Sequence, residues 1–203
     1  MFKFESKSEY TGNLFEDQFV GAVDTNNPEY QTALHKAETE EAAEGMTNRY
    51  IRFKKALELT KKFQPADPTN PNKPFGRDLR ITLQDLLKLE TEEEMDMIKF
   101  YTAVGTPLDK IHGVDAFLEV DGGKEGIFRT TFDLTTNPNK KSYKSDLIIS
   151  EEDLPDPNLE EKEYLRQMDI YAKLVADRIP LNIITRILHE KRKVIFGKNE
   201  PKN

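Results

Sequence analysis

Two carboxylates stand at positions in the sequence where a charged side chain is costly to bury. Asp115 opens an alternating apolar segment just after a glycine, and Asp133 lies between two apolar residues late in a second segment. A carboxylate on a central strand needs a hydrogen bond, an opposite charge or a metal ion. If the two segments pair as neighbouring strands, the two carboxylates predict a site for a hard cation, Mg²⁺ or Mn²⁺.

Lysine is the second residue type that this chemistry uses. A bound divalent cation polarises a phosphoryl oxygen and lowers the pKa of a water molecule, and a nearby ammonium stabilises the developing charge. Lys140 and Lys141 lie in the turn after the second segment, and Lys144 is close behind them. Lys140 and Lys141 are therefore placed to stabilise the charge that develops beside a metal ion on Asp115 and Asp133.

The composition restricts the kinds of catalytic and metal site that the chain can form. The 203 residues include no cysteine and only three histidines, which excludes thiol nucleophiles and cysteine-ligated zinc and leaves no histidine pair at zinc-ligand spacing. Any catalytic metal must therefore be bound through oxygen. The net charge of −7, from 37 acidic and 30 basic residues, argues at face value against nucleic acid as a partner.

The expected cellular location follows from the lack of a membrane-spanning segment and of a signal peptide in the sequence. No apolar run approaches the roughly 20 residues that a membrane span needs. The N-terminal residues lack the apolar core of a signal peptide. We therefore expect a cytoplasmic protein without a membrane partner.

The N-terminal part of the chain predicts helices around a proline-rich linker. Residues 1–27 suggest irregular structure or a short strand, and helical spacing predicts helices at 29–44 and 48–63. Residues 64–74 contain four prolines and predict a linker. Short helices are expected after it, at 83–89 and from Thr91 onward. We assign residues 1–75 to a helical N-terminal extension.

The centre of the chain predicts a sheet. Alternation indicates strands at 113–120 and 126–135 around a hairpin turn, and a third short strand at 145–149. Helices are expected at 158–178 and 182–193. The predicted class is α/β, with a small central mixed sheet of three to four strands flanked by helices, in a core domain of residues 76–203.

The order of these elements and two short motifs resemble the PD-(D/E)xK nuclease superfamily. Gly113-Val-Asp115 matches the first motif and Asp133-Leu-Thr135 the second, within roughly residues 90–178. Glu93 or Glu94 matches the acidic residue that many members carry on the preceding helix. The resemblance implies a restriction-endonuclease-like fold and a metal-dependent nuclease, for which we expect DNA rather than RNA. The resemblance also leaves open that the protein forms a homodimer.

The sequence departs from the family pattern at one chemically important position. Thr135 stands where the second motif has lysine, so Lys140, Lys141 or Lys144 would have to take over its role. The first motif also lacks its proline. An alternative is a non-catalytic protein-interaction module that keeps the nuclease-like fold and binds a protein partner through its N-terminal helices.

The strand carboxylates also have structural interpretations. Asp115 could bond backbone amides at the start of its strand. Asp133 could face outward and pair with Arg129 or a lysine. Glu119 shares the strand face of Asp115, and it could be a further metal ligand or a charge at the rim.

Two other candidates have structural interpretations of the same kind. Glu94 lies three residues after Thr91, and this spacing is typical of a capping box at a helix start. His112 could act as a base or contact a phosphate, but a structural hydrogen bond is the more common use of a histidine at a loop–strand junction.

Overall fold

A four-stranded mixed sheet lies between helices in the computed structural model, which describes residues 7–47, 49–137 and 144–187. The elements are, in chain order, α1 (Lys7–Phe19), α2 (Pro28–Ala43), α3 (Phe53–Lys62), α4 (Pro74–Leu86), α5 (Glu92–Met95), β1 (Ile98–Thr102), α6 (Pro107–His112), β2 (Ala116–Asp121), β3 (Ile127–Thr135), β4 (Leu147–Ser150) and α7 (Glu161–Ala176). Residues 181–187 are also helical. None of the helices in the described ranges is long and apolar enough to span a membrane.

The sheet has the strand order β1-β2-β3-β4, with β1, β2 and β3 antiparallel in turn and β4 parallel to β3. The predicted α/β class with a mixed central sheet is confirmed. Strand β1 was predicted as a helix because the apolar residues from Met95 to Tyr101 also fit helical spacing. Phe100 and Tyr101 instead point to opposite faces of the sheet, and each is buried in a different cluster.

The two faces of the sheet carry separate apolar clusters. On one face Phe75 of α4 meets Phe100, Phe132 and Tyr171 edge to face, at ring-centroid distances of 5.9, 5.7 and 5.9 Å. The other face is covered by α3 and α6, and its cluster contains Phe117 of β2. Alternation along β2 and β3 assigns each side chain to one of these faces.

Helices α1 and α3 pack on the sheet, and α2 packs on α3. The prediction of irregular structure or a strand before residue 27 was wrong, because α1 inserts Phe15 and Phe19 into the cluster around Phe75. The helix predicted at 29–44 is confirmed as α2, and the Asn27 side chain caps it. The next helix begins later than predicted, at Phe53 rather than residue 48.

Helix α4 begins inside the predicted linker. Pro74 occupies its first turn, where the missing amide hydrogen removes no helical bond. Two residues later Gly76 lies against the ring of Phe100, and a Cβ atom there would stand 2.5 Å from Phe100 Cδ1. Glycine therefore lets this helix approach β1 closely. The helix predicted at 158–178 is confirmed as α7, and the last predicted helix is described only to residue 187.

Candidate carboxylate site

Asp115 and Asp133 lie side by side where β2 begins and β3 ends. The backbone amide of Asp115 donates to the Phe132 carbonyl at 2.9 Å, and the Asp115 carboxylate accepts a hydrogen bond from the Leu134 amide at 2.6 Å. Asp115 is therefore bonded to the residues on both sides of Asp133. The two aspartates are only 5% and 3% exposed.

The local sequence explains this position. Helix α6 ends at Gly113, which adopts a left-handed conformation with φ of 65° that other residues rarely adopt. The chain then reverses into β2, so Asp115 stands just before the first ladder pair, Ala116 with Phe132. Phe132 and Leu134 point into the Phe75 cluster, so Asp133 points to the opposite face of the sheet.

The surroundings of Asp115 are unusually negative. Burial, together with the negative charges of Glu16, Asp109 and Asp133, raises the pKa of the Asp115 carboxyl to about 9, against the opposing effect of the hydrogen bond from Leu134. Negative charge from α1, α6 and β3 thus acts on Asp115. Between about pH 4 and about pH 9, Asp115 therefore retains a proton that a solvated aspartic acid would release.

Two of these four acidic residues were missed in the sequence. Glu16 belongs to a segment that was predicted as irregular, and Asp109 lies in the first turn of α6, where it accepts a hydrogen bond from the Gly105 amide at 2.8 Å. Nothing in the local sequence relates either residue to Asp115, because α1 and α6 reach the site only through the tertiary fold.

The lysine side of the predicted site is only partly described. Lys140 and Lys141 lie outside the described residues. Lys144 donates from Nζ to the Ile111 carbonyl at 2.9 Å, at the end of α6. Thr135, in the position of the family lysine, is buried, and its Oγ1 accepts a hydrogen bond from the Asn137 amide at 3.1 Å.

Glu94 and His112 have structural partners. Glu94 forms the predicted capping box with Thr91, which is confirmed, and it lies before β1, at the end of the sheet opposite to Asp115. His112 contacts the Ile51 carbonyl through Nε2 at 2.8 Å, which confirms the structural hydrogen bond.

Glu119 is held by two cations on the same sheet face. It is 3% exposed and accepts hydrogen bonds from Lys61 at 2.5 Å and from Arg129 at 2.9 and 2.5 Å. Arg129 is therefore a partner of Glu119, four residues along β3 from Asp133. Glu119 is a buried ion-pair residue rather than a charge at the rim.

Among the residues that the structure describes, no group of three or more acidic or histidine side chains is arranged to hold a metal ion. Two carboxylates are in principle sufficient for Mg²⁺, because this ion commonly binds through one or two carboxylates and keeps several waters. The all-oxygen donor set also agrees with a chain that has no cysteine.

No family model, curated protein or solved structure matches the chain.

Proposed function

We propose that the protein is a metal-dependent phosphodiester hydrolase that acts on nucleic acid, DNA rather than RNA. The observation that carries the proposal is the buried pair of adjacent carboxylates, Asp115 and Asp133, at the end of the sheet. Two carboxylates in one buried place repel each other unless a proton or a cation lies between them. A divalent cation is the occupant that would let both of them ionise.

Each of the four acidic residues of this site would have a role. Asp115 and Asp133 would hold the cation, and Mg²⁺ bound there would polarise a phosphoryl oxygen and lower the pKa of an attacking water. Glu16 and Asp109 add negative potential that attracts the cation. The hydrogen bond from the Leu134 amide fixes the orientation of the Asp115 carboxylate.

Two further features support a nuclease of the PD-(D/E)xK type. The site lies at the start of the first motif strand and late in its antiparallel partner, as the resemblance implies. The mixed four-stranded sheet with helices on both faces agrees with a restriction-endonuclease-like fold. Lys140 or Lys141 would supply the ammonium group that Thr135 cannot.

The test is cleavage of plasmid DNA, single-stranded DNA and RNA with Mg²⁺ or Mn²⁺. Activity should require the metal ion, stop with a chelator and fall at least 100-fold in Asp133→Asn. The matched control is Asp169→Asn, which removes an exposed carboxylate from α7. Cleavage that persists in Asp133→Asn, or without a divalent cation, would contradict the assignment.

One observation favours the alternative of a non-catalytic module, namely the threonine at position 135. Calorimetry with Mn²⁺ separates the two functions. The hydrolase requires Mn²⁺ binding that is lost in Asp133→Asn and retained in Asp169→Asn. If wild-type protein binds no Mn²⁺ at millimolar concentration and cleaves none of the substrates, the non-catalytic function replaces the hydrolase.

A further inference from the structure

A second charged feature lies on the sheet face that α3 covers. A groove of about 670 Å³ runs between α3 and β3, and we call it the α3 groove. Its charged lining consists of four cations and one carboxylate, namely Lys54, Lys61, Lys62, Arg129 and Glu58. In a chain with a net charge of −7, this is a local excess of positive charge.

Two of the four cations are held in place by Glu119 of β2. The buried carboxylate of Glu119 accepts hydrogen bonds from Lys61 and Arg129, and Lys61 Nζ also stands 5.2 Å from the ring centroid of Tyr101. These contacts order both side chains, which remain 32% and 28% exposed. Glu119 therefore positions part of the lining while it neutralises one of its charges.

The other two cations remain available to a ligand. Lys54 and Lys62 are exposed, and neither forms an ion pair with any residue in the described part of the chain. Lys55, on the next position of α3, is instead paired with Glu40 at 2.9 Å and Glu41 at 3.6 Å. Lys62 Nζ also stands 5.1 Å from the ring centroid of Phe63. Lys54 and Lys62 both line the groove.

Aromatic surface adjoins these charges. Phe53 lines the groove and is 38% exposed, and the neighbouring Tyr50 is 36% exposed. Both rings pack edge to face against His112, at centroid distances of 5.4 and 5.9 Å. A basic groove with exposed aromatic rings is the combination that binds single strands, because phosphates meet the cations and bases stack on the rings.

We propose that the α3 groove binds single-stranded nucleic acid, with phosphates on Lys54 and Lys62 and a base on Phe53. The further step, that the groove is the path of the substrate strand, rests on the proposed hydrolase function. Arg129 and Asp133 are four residues apart on β3, or about 13 Å at the usual rise of a strand. The Arg129 end of the groove is therefore within about 13 Å of the carboxylate pair along β3.

The experiment measures binding by fluorescence anisotropy with a fluorescein-labelled oligothymidylate, in the presence of a chelator so that no cleavage occurs. Two phosphate contacts predict that log K falls with log salt with a slope of about −1.4. The double variant Lys54→Gln, Lys62→Gln should bind at least tenfold more weakly with a slope near zero. Phe53→Ala should lose about tenfold in affinity with the slope unchanged.

The matched control is the double variant Lys162→Gln, Lys173→Gln, which removes the same charge from exposed positions of α7. It should bind as the wild type does. Equal affinities of the two double variants would overturn the proposal, and so would equal competition by a poly-glutamate peptide, which would indicate an acidic protein partner.

The experiments distinguish a wrong assignment of the groove from a wrong assignment of the hydrolase function. Chelator-insensitive binding that depends on Lys54 and Lys62, without cleavage under any metal condition, supports the groove and contradicts the hydrolase. Metal-dependent cleavage in which the Lys54→Gln, Lys62→Gln variant has an unchanged KM contradicts the groove and leaves the hydrolase in place.

Discussion

Replacement of Asp115 with asparagine should change the pH dependence of stability in the metal-free protein. Burial, with the charges of Glu16, Asp109 and Asp133, raises the pKa of Asp115 to about 9. In the unfolded chain this carboxyl releases its proton near pH 4. Unfolding therefore releases a proton throughout the interval from about pH 4 to about pH 9, and the free energy of unfolding decreases as the pH rises through it.

The size of the effect follows from the proton count. One proton released on unfolding lowers the free energy of unfolding by about 1.4 kcal/mol per pH unit, or about 2.7 kcal/mol from pH 6 to pH 8. Asparagine is neutral at every pH, and its amide oxygen can keep the hydrogen bond from Leu134. Asp115→Asn should therefore lose this part of the pH dependence and be more stable than the wild type at pH 8.

The measurement is urea denaturation followed by far-ultraviolet circular dichroism at pH 6, 7 and 8, with a chelator present. Because all other groups titrate in both proteins, the difference between the two stability curves isolates position 115. It should change by about 2.7 kcal/mol across the range, whereas Asp169→Asn should parallel the wild type. Parallel curves for Asp115→Asn and wild type would refute the argument that Asp115 is held protonated by its surroundings.

Four further substitutions test other parts of the structure. Gly76→Ala should lower the free energy of unfolding by about 1–3 kcal/mol in urea, because the new methyl group meets the Phe100 ring; a gain from helix propensity would contradict this packing. Glu119→Gln should lower stability by about 2 kcal/mol and tighten oligothymidylate binding in the anisotropy assay, because two groove cations lose their carboxylate; unchanged affinity would be the opposing result. Thr91→Ala should lower the free energy of unfolding by about 1 kcal/mol, because it removes the capping hydroxyl. Glu94→Gln should leave the cleavage rate unchanged, and a loss of cleavage in this variant would assign Glu94 to the site.

The strands that carry the two aspartates could be predicted because their patterns are local. Alternating apolar residues and a glycine turn are enough to place β2 and β3 as an antiparallel pair. Strand β1 could not be recognised in this way, since it is buried on both faces and a short apolar run fits a helix equally well. The position of Glu16 beside Asp115 was inaccessible for a different reason, because it depends on how α1 crosses the end of the sheet.

Asp115 and Glu119 lie four residues apart, both are buried carboxylates, and their surroundings are opposite. Glu119 is met by the cations of Lys61 and Arg129, so its charge is compensated within the protein. Asp115 is met by the anions of Glu16, Asp109 and Asp133, so its charge is opposed. A buried carboxylate whose charge is balanced by cations of the protein forms a structural ion pair. A buried carboxylate surrounded by other negative charges needs a proton or a cation from solution. This contrast on neighbouring stretches of one chain is the physical reason why we propose a metal ion at Asp115 and Asp133 and not at Glu119.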